Sequence, residues 1–332
     1  MVKAISLLSG GLDSILATKL VLQQGIEVEA INFHTIFCTC TPKNSNCLSA
    51  IHAADKLGIK VSVFKISQEY LDIVRNPKYG YGSQLNPCLD CRIFMFKKAK
   101  EYMQKVKASF IITGEVLGER PMSQRRDTFE IIEKETGLSG LILRPLSAKI
   151  LPPTIPEKMG IIDRDKLMSI SGRSRKPQIS LAKNLGISDY PCPSGGCLLT
   201  DPNFARRMKD LIKYTTEISL NDVKLLRFGR HFRINPKAKF IVGRNEKENK
   251  ILLNLARNRD IVLIPKNVKG PIGIGRGDFD KEAVFISSQL LASYCKKISE
   301  HVEIIKKIIP EEYEETIIVS IMERNKFEYL RI

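Results

Sequence analysis

The sequence predicts an α/β chain, with a parallel-sheet domain over residues 1–199 and a smaller, basic, mixed α/β domain over 200–332. Three observations lead there: short apolar runs alternate with helix-like stretches, a serine- and glycine-rich turn joins the first run to the first helix, and the rhythm and charge change near Leu199. Residues 4–8, 28–33, 61–66, 110–113 and 141–146 are apolar enough for buried parallel strands, and 15–22, 49–57 and 93–106 carry helical spacing between them. Three prolines crowd residues 149–160, after which 165–171 and 178–185 read as helices. The stretch 190–197 is turn-rich, because its prolines restrict φ and its paired glycines permit tight backbone. Beyond it, 204–214 and 246–255 read as helices. Residues 224–233, 239–242 and 261–264 hold strand-like pieces, 282–293 is mixed, and the stretch from 300 opens helix-like before a strand at 316–322.

Composition narrows the class. With 332 residues, 43% hydrophobic and 27% charged, the chain has material for two cores, and 21 Gly with 16 Pro excludes collagen-like sequence. Its apolar runs fall far short of the ~20 residues a bilayer helix needs, and the start lacks a signal peptide's apolar stretch, so a cytoplasmic protein is expected. The net charge of +17 favours a polyanionic partner, and residues 206–250 hold 13 basic against 5 acidic side chains. A solvated basic surface is the plain alternative.

The strongest motif is Ser9-Gly10-Gly11-Leu12-Asp13-Ser14 between a strand and a helix. Glycines let backbone N–H groups approach phosphate oxygens, the serines add hydroxyl donors, and the helix adds its positive end. Asp13 is left to orient Mg²⁺ or to accept hydrogen bonds within the loop. A structural turn with a serine cap would use the same residues. This string resembles the PP-loop of the ATP pyrophosphatase superfamily, which includes tRNA-thiolating enzymes. The resemblance implies ATP binding at Ser9, Gly10, Gly11, Asp13 and Ser14, cleavage between the α and β phosphates, and adenylation of an acceptor. Thr113-Gly114-Glu115-Val116-Leu117-Gly118, continuing to Ser123-Gln124, is similar to an element of 4-thiouridine synthases, which would place Gly114 and Gln124 near nucleotide.

Of eight cysteines, six fall in the close pairs Cys38/Cys40, Cys88/Cys91 and Cys192/Cys197, which suggests metal or thiol chemistry in a reducing compartment. Asn86-Pro87-Cys88-Leu89-Asp90-Cys91 resembles the NPCxxC region of tRNA 2-thiouridylases, and Arg92 beside it would favour thiolate. Cys192 and Cys197 supply distant partners. Similarity to iron–sulfur-dependent tRNA thiolases implies a [4Fe-4S] cluster on three thiolates, Cys88, Cys91 and Cys192, with Cys197 as the alternative third ligand. Persulfide chemistry without a cluster, or zinc, are the other options for these thiols. Cys38, Cys40 and Cys47 follow the second strand and could join a metal site with His34 or His52, handle sulfur, or merely pack. Cys295 reads as a core thiol, and His231 as RNA-facing or structural.

Arg227, Arg230 and Arg233 interleave with Phe228 and Phe232, and Arg206, Arg207, Lys237, Lys239 and Arg244 extend the charge. Cations meeting phosphates while a phenyl ring packs on ribose or base would make this an RNA surface. The combined expectation is a tRNA thiouridine synthase using ATP and Mg²⁺, catalysis lying with Asp13, Cys88, Cys91, Cys192 and Cys197. Its partners would be tRNA, free sulfide or a separate donor protein, and a second copy of the chain in a homodimer. A PP-loop sulfur transferase or ligase for small molecules, a noncatalytic iron–sulfur RNA-binding protein and a lysidine synthase are the rivals. Position two or four of uracil is left open.

Overall fold

The computed structural model describes residues 2–38, 46–66, 68–190, 197–296, 300–311 and 313–332, with the side chains of 46–48 also left out. Two compact units result, Met1–Thr200 and Asp201–Ile332.

The first unit is built in chain order from β1 (Lys3–Leu7), α1 (Leu12–Leu22), β2 (Glu27–Thr35), α2 (Asn46–Leu57), β3 (Val61–Ile66), α3 (Gln68–Arg75), α4 (Cys88–Lys105), β4 (Phe110–Thr113), α5 (Arg126–Thr136), β5 (Ile142–Leu143), α6 (Ile155–Lys158) and α7 (Lys176–Asn184). Its five strands are all parallel in the order β3-β2-β1-β4-β5. Successive side chains leave opposite faces, so Ala4, Phe110 and Ile112 enter the core beneath α1 while Ile5 and Ile111 meet Ile93 and Phe96 of α4. Both faces must therefore be apolar, which is why these strands read as continuous hydrophobic runs. The order reverses at β1, leaving a crevice beyond the carboxyl ends of β1 and β4, and the Ser-Gly-Gly turn opens into that position.

Several boundaries differ from the sequence reading. Residues 165–171 form one 3₁₀ turn, Arg164–Lys166, and then an extended segment whose Met168 and Ile170 donate to the carbonyls of Pro145 and Leu146. Leu167 thereby fills the α1 core, which outweighs local helical preference. The fifth strand is confined to two residues, and α3 and α5 were not anticipated.

The second unit runs α8 (Pro202–Tyr214), α9 (Leu220–Leu225), β6 (Arg230–Asn235), β7 (Ala238–Val242), α10 (Glu246–Leu255), β8 (Ile261–Pro265), β9 (Gly273–Gly277), α11 (Lys281–Ala292), β10 (His301–Ile308) and β11 (Glu314–Ser320). Its six-stranded sheet is antiparallel throughout, in the order β11-β10-β8-β9-β7-β6. The helix-like opening expected from residue 300 is the strand β10, whose Val302 and Ile304 join the core between β8 and β11. No helix among the described residues is long and apolar enough to cross a membrane.

Candidate nucleotide and thiol site

The turn after β1 is fixed by its own hydroxyls. Ser14 Oγ donates to Gly11 O at 2.8 Å and lies 3.1 Å from Ser9 Oγ, which accepts weakly from Gly11 N–H at 3.3 Å. The two glycines have different reasons. Gly10 has φ +79°, and a Cβ there would fall 2.4–2.7 Å from Ser49 and Ala50 of α2, so the fold itself demands glycine. Gly11 caps α1 with ordinary extended backbone, and a Cβ would meet only Ser9 Oγ at 3.4 Å. Nothing in the protein requires its bareness; a ligand reaching the α1 amino end would. Gly114 is a packing glycine, since a Cβ would lie 2.5 Å from the Asp13 and Ser14 backbone.

Unmet polar demand gathers around this turn. Asp13 Oδ1 is buried without a hydrogen-bond partner. Burial pushes the Asp13 carboxyl above its usual range, against the pull of the Arg175 and Arg120 charges. Half-buried Glu119 is raised as well, by burial and then by Asp13, again opposed by Arg120 and Arg175. Gln178 on α7 is fully buried and near enough to Asp13 to favour its charged form, although neither amide atom reaches hydrogen-bond distance of a protein partner, and Gln124 Oε1 is buried unpaired. Gln124 also closes its loop, its carbonyl accepting from Gly118 N–H at 2.7 Å. The Asp13 and Glu119 carboxylates disfavour one another's charge, a repulsion that a divalent cation such as Mg²⁺ would relieve. Sequence reading missed Glu119, Arg120, Arg175 and Gln178. The last two arrive because residues 171–172 pair with Leu117, a long-range contact that local pattern does not encode.

The thiols lie next to this loop. Cys88 and Cys91 occupy the first turn of α4, three positions apart, and the backbone carries distant segments to them: Leu85 N–H donates to Leu199 O at 3.1 Å, and Leu198 N–H to Phe37 O at 2.9 Å. Cys197 is thus drawn to the pair, facing Cys38 across an isolated antiparallel bridge. Tyr70, buried to 1% exposure, hydrogen-bonds Cys91 and feels Cys197 and Cys88. The expected thiolate bias of Arg92 is overturned. Burial raises the Cys88 thiol, outweighing Arg92 and Arg120, raises Cys91 too, and pushes Cys197 up to about 12. Arg92 is itself engaged, 3.4 Å from the buried Glu115, which also binds Arg144 at 3.2 Å.

Among the described residues no three His, Cys, Asp or Glu side chains converge on one ion position. Cys88, Cys91 and Cys197 all act on Tyr70, and three thiols are the kind of donors an iron–sulfur cluster would take. Cys192, Cys40 and the Cys47 side chain lie outside the described residues. Cys295 is a buried thiol, its Sγ 3.6 Å from Leu291 O.

In the second unit the basic residues divide. Arg233 and Lys239 both grip Asp210, at 2.6 and 3.1 Å, and Lys239 is only 6% exposed, so its ammonium turns inward. Arg244 pairs with Glu248, Arg207 donates to Leu226 O, and Arg230 bonds Gly243 O and stacks on Tyr294. Arg206 and Lys237 are exposed, and Arg227 is half-buried. Phe232 is a core residue at 1% exposure and Phe228 packs partly against the α9–α10 core, which removes Phe232 from any contact with bases. His231 is buried, with Nε2 2.8 Å from Phe228 O, and burial holds it well below its ordinary pKa.

Comparison with known proteins follows the two units. Residues 1–149 match the family model described as Thiamine biosynthesis protein (ThiI), and residues 229–330 match the NFACT protein RNA binding domain. The tRNA-specific 2-thiouridylase MnmA of Mesoplasma florum is 30% identical over 149 residues, 39% of this chain and 40% of that protein. The probable tRNA sulfurtransferase of Oceanobacillus iheyensis is 29% identical over 146 residues, 43% of this chain and 34% of that protein. The chain thus spans well under half the length of either relative. A 4-thiouridine synthetase solved with RNA and bound ATP aligns at TM-score 0.36 and 19% identity, over 56% of this chain and 51% of that one. The U34-tRNA thiolase NcsA of Methanococcus maripaludis, solved with its [4Fe-4S] cluster, aligns at TM-score 0.32 and 15% identity, over 68% and 72%. In sequence, then, the first unit is similar to the PP-loop enzymes that thiolate tRNA, and most of the second to an RNA-binding domain.

Proposed function

We propose that the chain is an ATP-dependent tRNA thiouridine synthase, which adenylates a uracil carbonyl oxygen and replaces that oxygen with sulfur. One observation carries the reading: the loop 118–124 faces both chemistries. Its Arg120 lies within electrostatic reach of Asp13, Glu119 and Cys88 alike. A Cβ at Gly82 would meet both Met122 Cγ, at 3.4 Å, and Cys88 Sγ, at 3.5 Å, so the loop and the thiol flank the same bare position. A carbonyl activated at the nucleotide turn would therefore form beside the thiols, without travelling to them.

In the first step the uracil oxygen bonds to the α-phosphorus and pyrophosphate leaves. The Gly11 amide, the Ser9 hydroxyl and the α1 amino end receive phosphate oxygens, while Arg120 and Arg175 balance charge on the departing pyrophosphate. Mg²⁺ held by Asp13 and Glu119 would neutralise the phosphates. In the second step a sulfur nucleophile bonds to the ring carbon and AMP leaves with the former oxygen. Cys88, Cys91 and Cys197 would hold a [4Fe-4S] cluster, whose chemistry is to present sulfide; Cys192 is a further thiol for this role. Arg206, Arg227, Arg230 and Lys237 are offered to tRNA phosphate, with the second unit as the RNA-binding part. Sulfide or a donor protein would supply sulfur, in the cytoplasm.

The test is anaerobic reconstitution with iron and sulfide, then incubation with ATP, Mg²⁺, sulfide and unfractionated tRNA, with mass analysis of digested nucleosides. The expected result is 2-thiouridine or 4-thiouridine formed in step with AMP. ATP-to-AMP turnover that is indifferent to tRNA and yields no thionucleoside would overturn the reading in favour of a small-molecule substrate.

A further inference from the structure

Beyond the pair on α4 and Cys197, a further thiol reaches this site from a turn at the other end of the sheet crevice. Cys38 closes the turn after β2, its N–H donating to Thr35 O at 3.1 Å. Its sulfur accepts from Thr35 N–H at 3.4 Å and lies 3.6 Å from Thr35 Oγ1. The backbone sets Cys38 directly across from Cys197, and its neighbour Phe37 packs edge-on against Tyr70 at 5.8 Å. Cys91 and Cys197 both lie within electrostatic reach of Cys38, so its sulfur belongs to the same group. All four thiols are half-buried, unlike the buried Cys295. Mere packing would seat the Cys38 sulfur among apolar groups. The Thr35 backbone N–H aimed at it suits a sulfur that carries negative charge, as a metal-bound thiolate does.

We infer that Cys38 is a fourth ligand of the iron–sulfur cluster proposed above, holding the iron that a three-thiol site leaves open; the inference rests on that reading. Cys38 would then be the ligand with which an incoming hydrosulfide exchanges, departing as the thiol with that proton and with no change of oxidation state. Cys38 is suited to leave. It sits on a short turn while Cys88 and Cys91 are fixed on a long helix, and the hydrogen bond from the Thr35 backbone N–H would draw charge off its sulfur and weaken its hold on iron.

The test compares full-length wild type, Cys38→Ala and the near-isosteric Cys38→Ser, each reconstituted anaerobically and checked for fold by circular dichroism. Mild ferricyanide oxidation expels an iron that lacks a cysteine ligand, leaving a three-iron cluster visible by electron paramagnetic resonance. Wild type is expected to resist, and the folded variants to give a severalfold larger three-iron signal or to lose iron outright. Should Cys38→Ala fail to fold, the serine variant decides. Equal iron and equal signals in wild type and folded variants would overturn Cys38 as a ligand while leaving the three-thiol site standing. A wild type that binds no iron overturns the cluster reading, and this inference with it.

Discussion

The carboxylates beside the nucleotide turn and the buried carboxylates of the second unit are treated in opposite ways. Asp13 and Glu119 are held above the ordinary range by burial, and Arg120 and Arg175 offset it only in part. In the second unit burial also opposes the charge of Asp210, Asp222 and Glu248, yet all three lie below the ordinary range. Hydrogen bonds from Arg233 to Asp210, from Ser219 to Asp222 and from Arg244 to Glu248 outweigh the burial, with Lys239 and Arg276 adding charge. Unmet demand marks the place where a ligand completes the structure, whereas met demand marks scaffold. The same contrast shows why a count of basic residues overstates an RNA surface: some of the cations answer acids of their own unit.

The largest effects should come from breaking the satisfied networks. Asp210→Ala leaves Arg233 and the buried Lys239 without their acid, and should cost about 3–5 kcal/mol in urea unfolding of the second unit. A loss below 1 kcal/mol would show that the pair is idle. Asp13→Asn should do the reverse: AMP formation falls about a hundredfold while stability at pH 7 holds or rises, because a disfavoured charge is gone. The pH dependence separates the two classes. A raised carboxyl binds protons more readily folded than unfolded, so any stability gained by Asp13→Asn should shrink as pH falls through the raised native value towards ~4. For Asp222→Asn, which loses the charge that Arg276 and Arg257 grip, the defect should be complete at pH 7. It should fade only below ~4, where the wild type also becomes protonated. Midpoints that do not converge in acid would contradict both assignments. Smaller again is the glycine pair: Gly10→Ala should cost about 1–3 kcal/mol of stability through its backbone clash, and Gly11→Ala almost none while weakening ATP binding about tenfold.

Much of this was legible in the sequence because it is local. The Ser-Gly-Gly turn sits between contiguous elements, and strands buried on both faces announce themselves as apolar runs. Cys88 and Cys91 are three residues apart on one helix and could be read as a pair. What escaped depends on distant segments. Arg175 and Gln178 approach Asp13 because residues 171–172 run beside Leu117, and Cys38 meets Cys197 through a single bridge. Residue 300 onward misled because His301-Val302-Glu303-Ile304-Ile305 fits either period, and the sheet between β8 and β11 decided it. Phe232 lay in an aromatic-basic pattern, but alternation along β6 sends its ring inward.

The smallest predicted effect tests the RNA surface itself. Arg206 is exposed, with a single 3.1 Å contact to Asn203, whereas Arg233 is bound bidentately to Asp210 and stacked over Tyr214 at 4.6 Å. An arginine free to reach phosphate releases counterions on binding; one committed to an internal acid does not. Arg206→Ala should therefore lower the slope of log affinity against log salt for tRNA by about one, weaken binding similarly across tRNA sequences, and leave the unfolding midpoint unchanged. Arg233→Ala should shift the midpoint and, in the folded protein, leave the slope alone. An unchanged slope for Arg206→Ala would move the RNA contact elsewhere on the unit, and a reduced slope for folded Arg233→Ala would mean that RNA phosphate displaces Asp210 from its arginine.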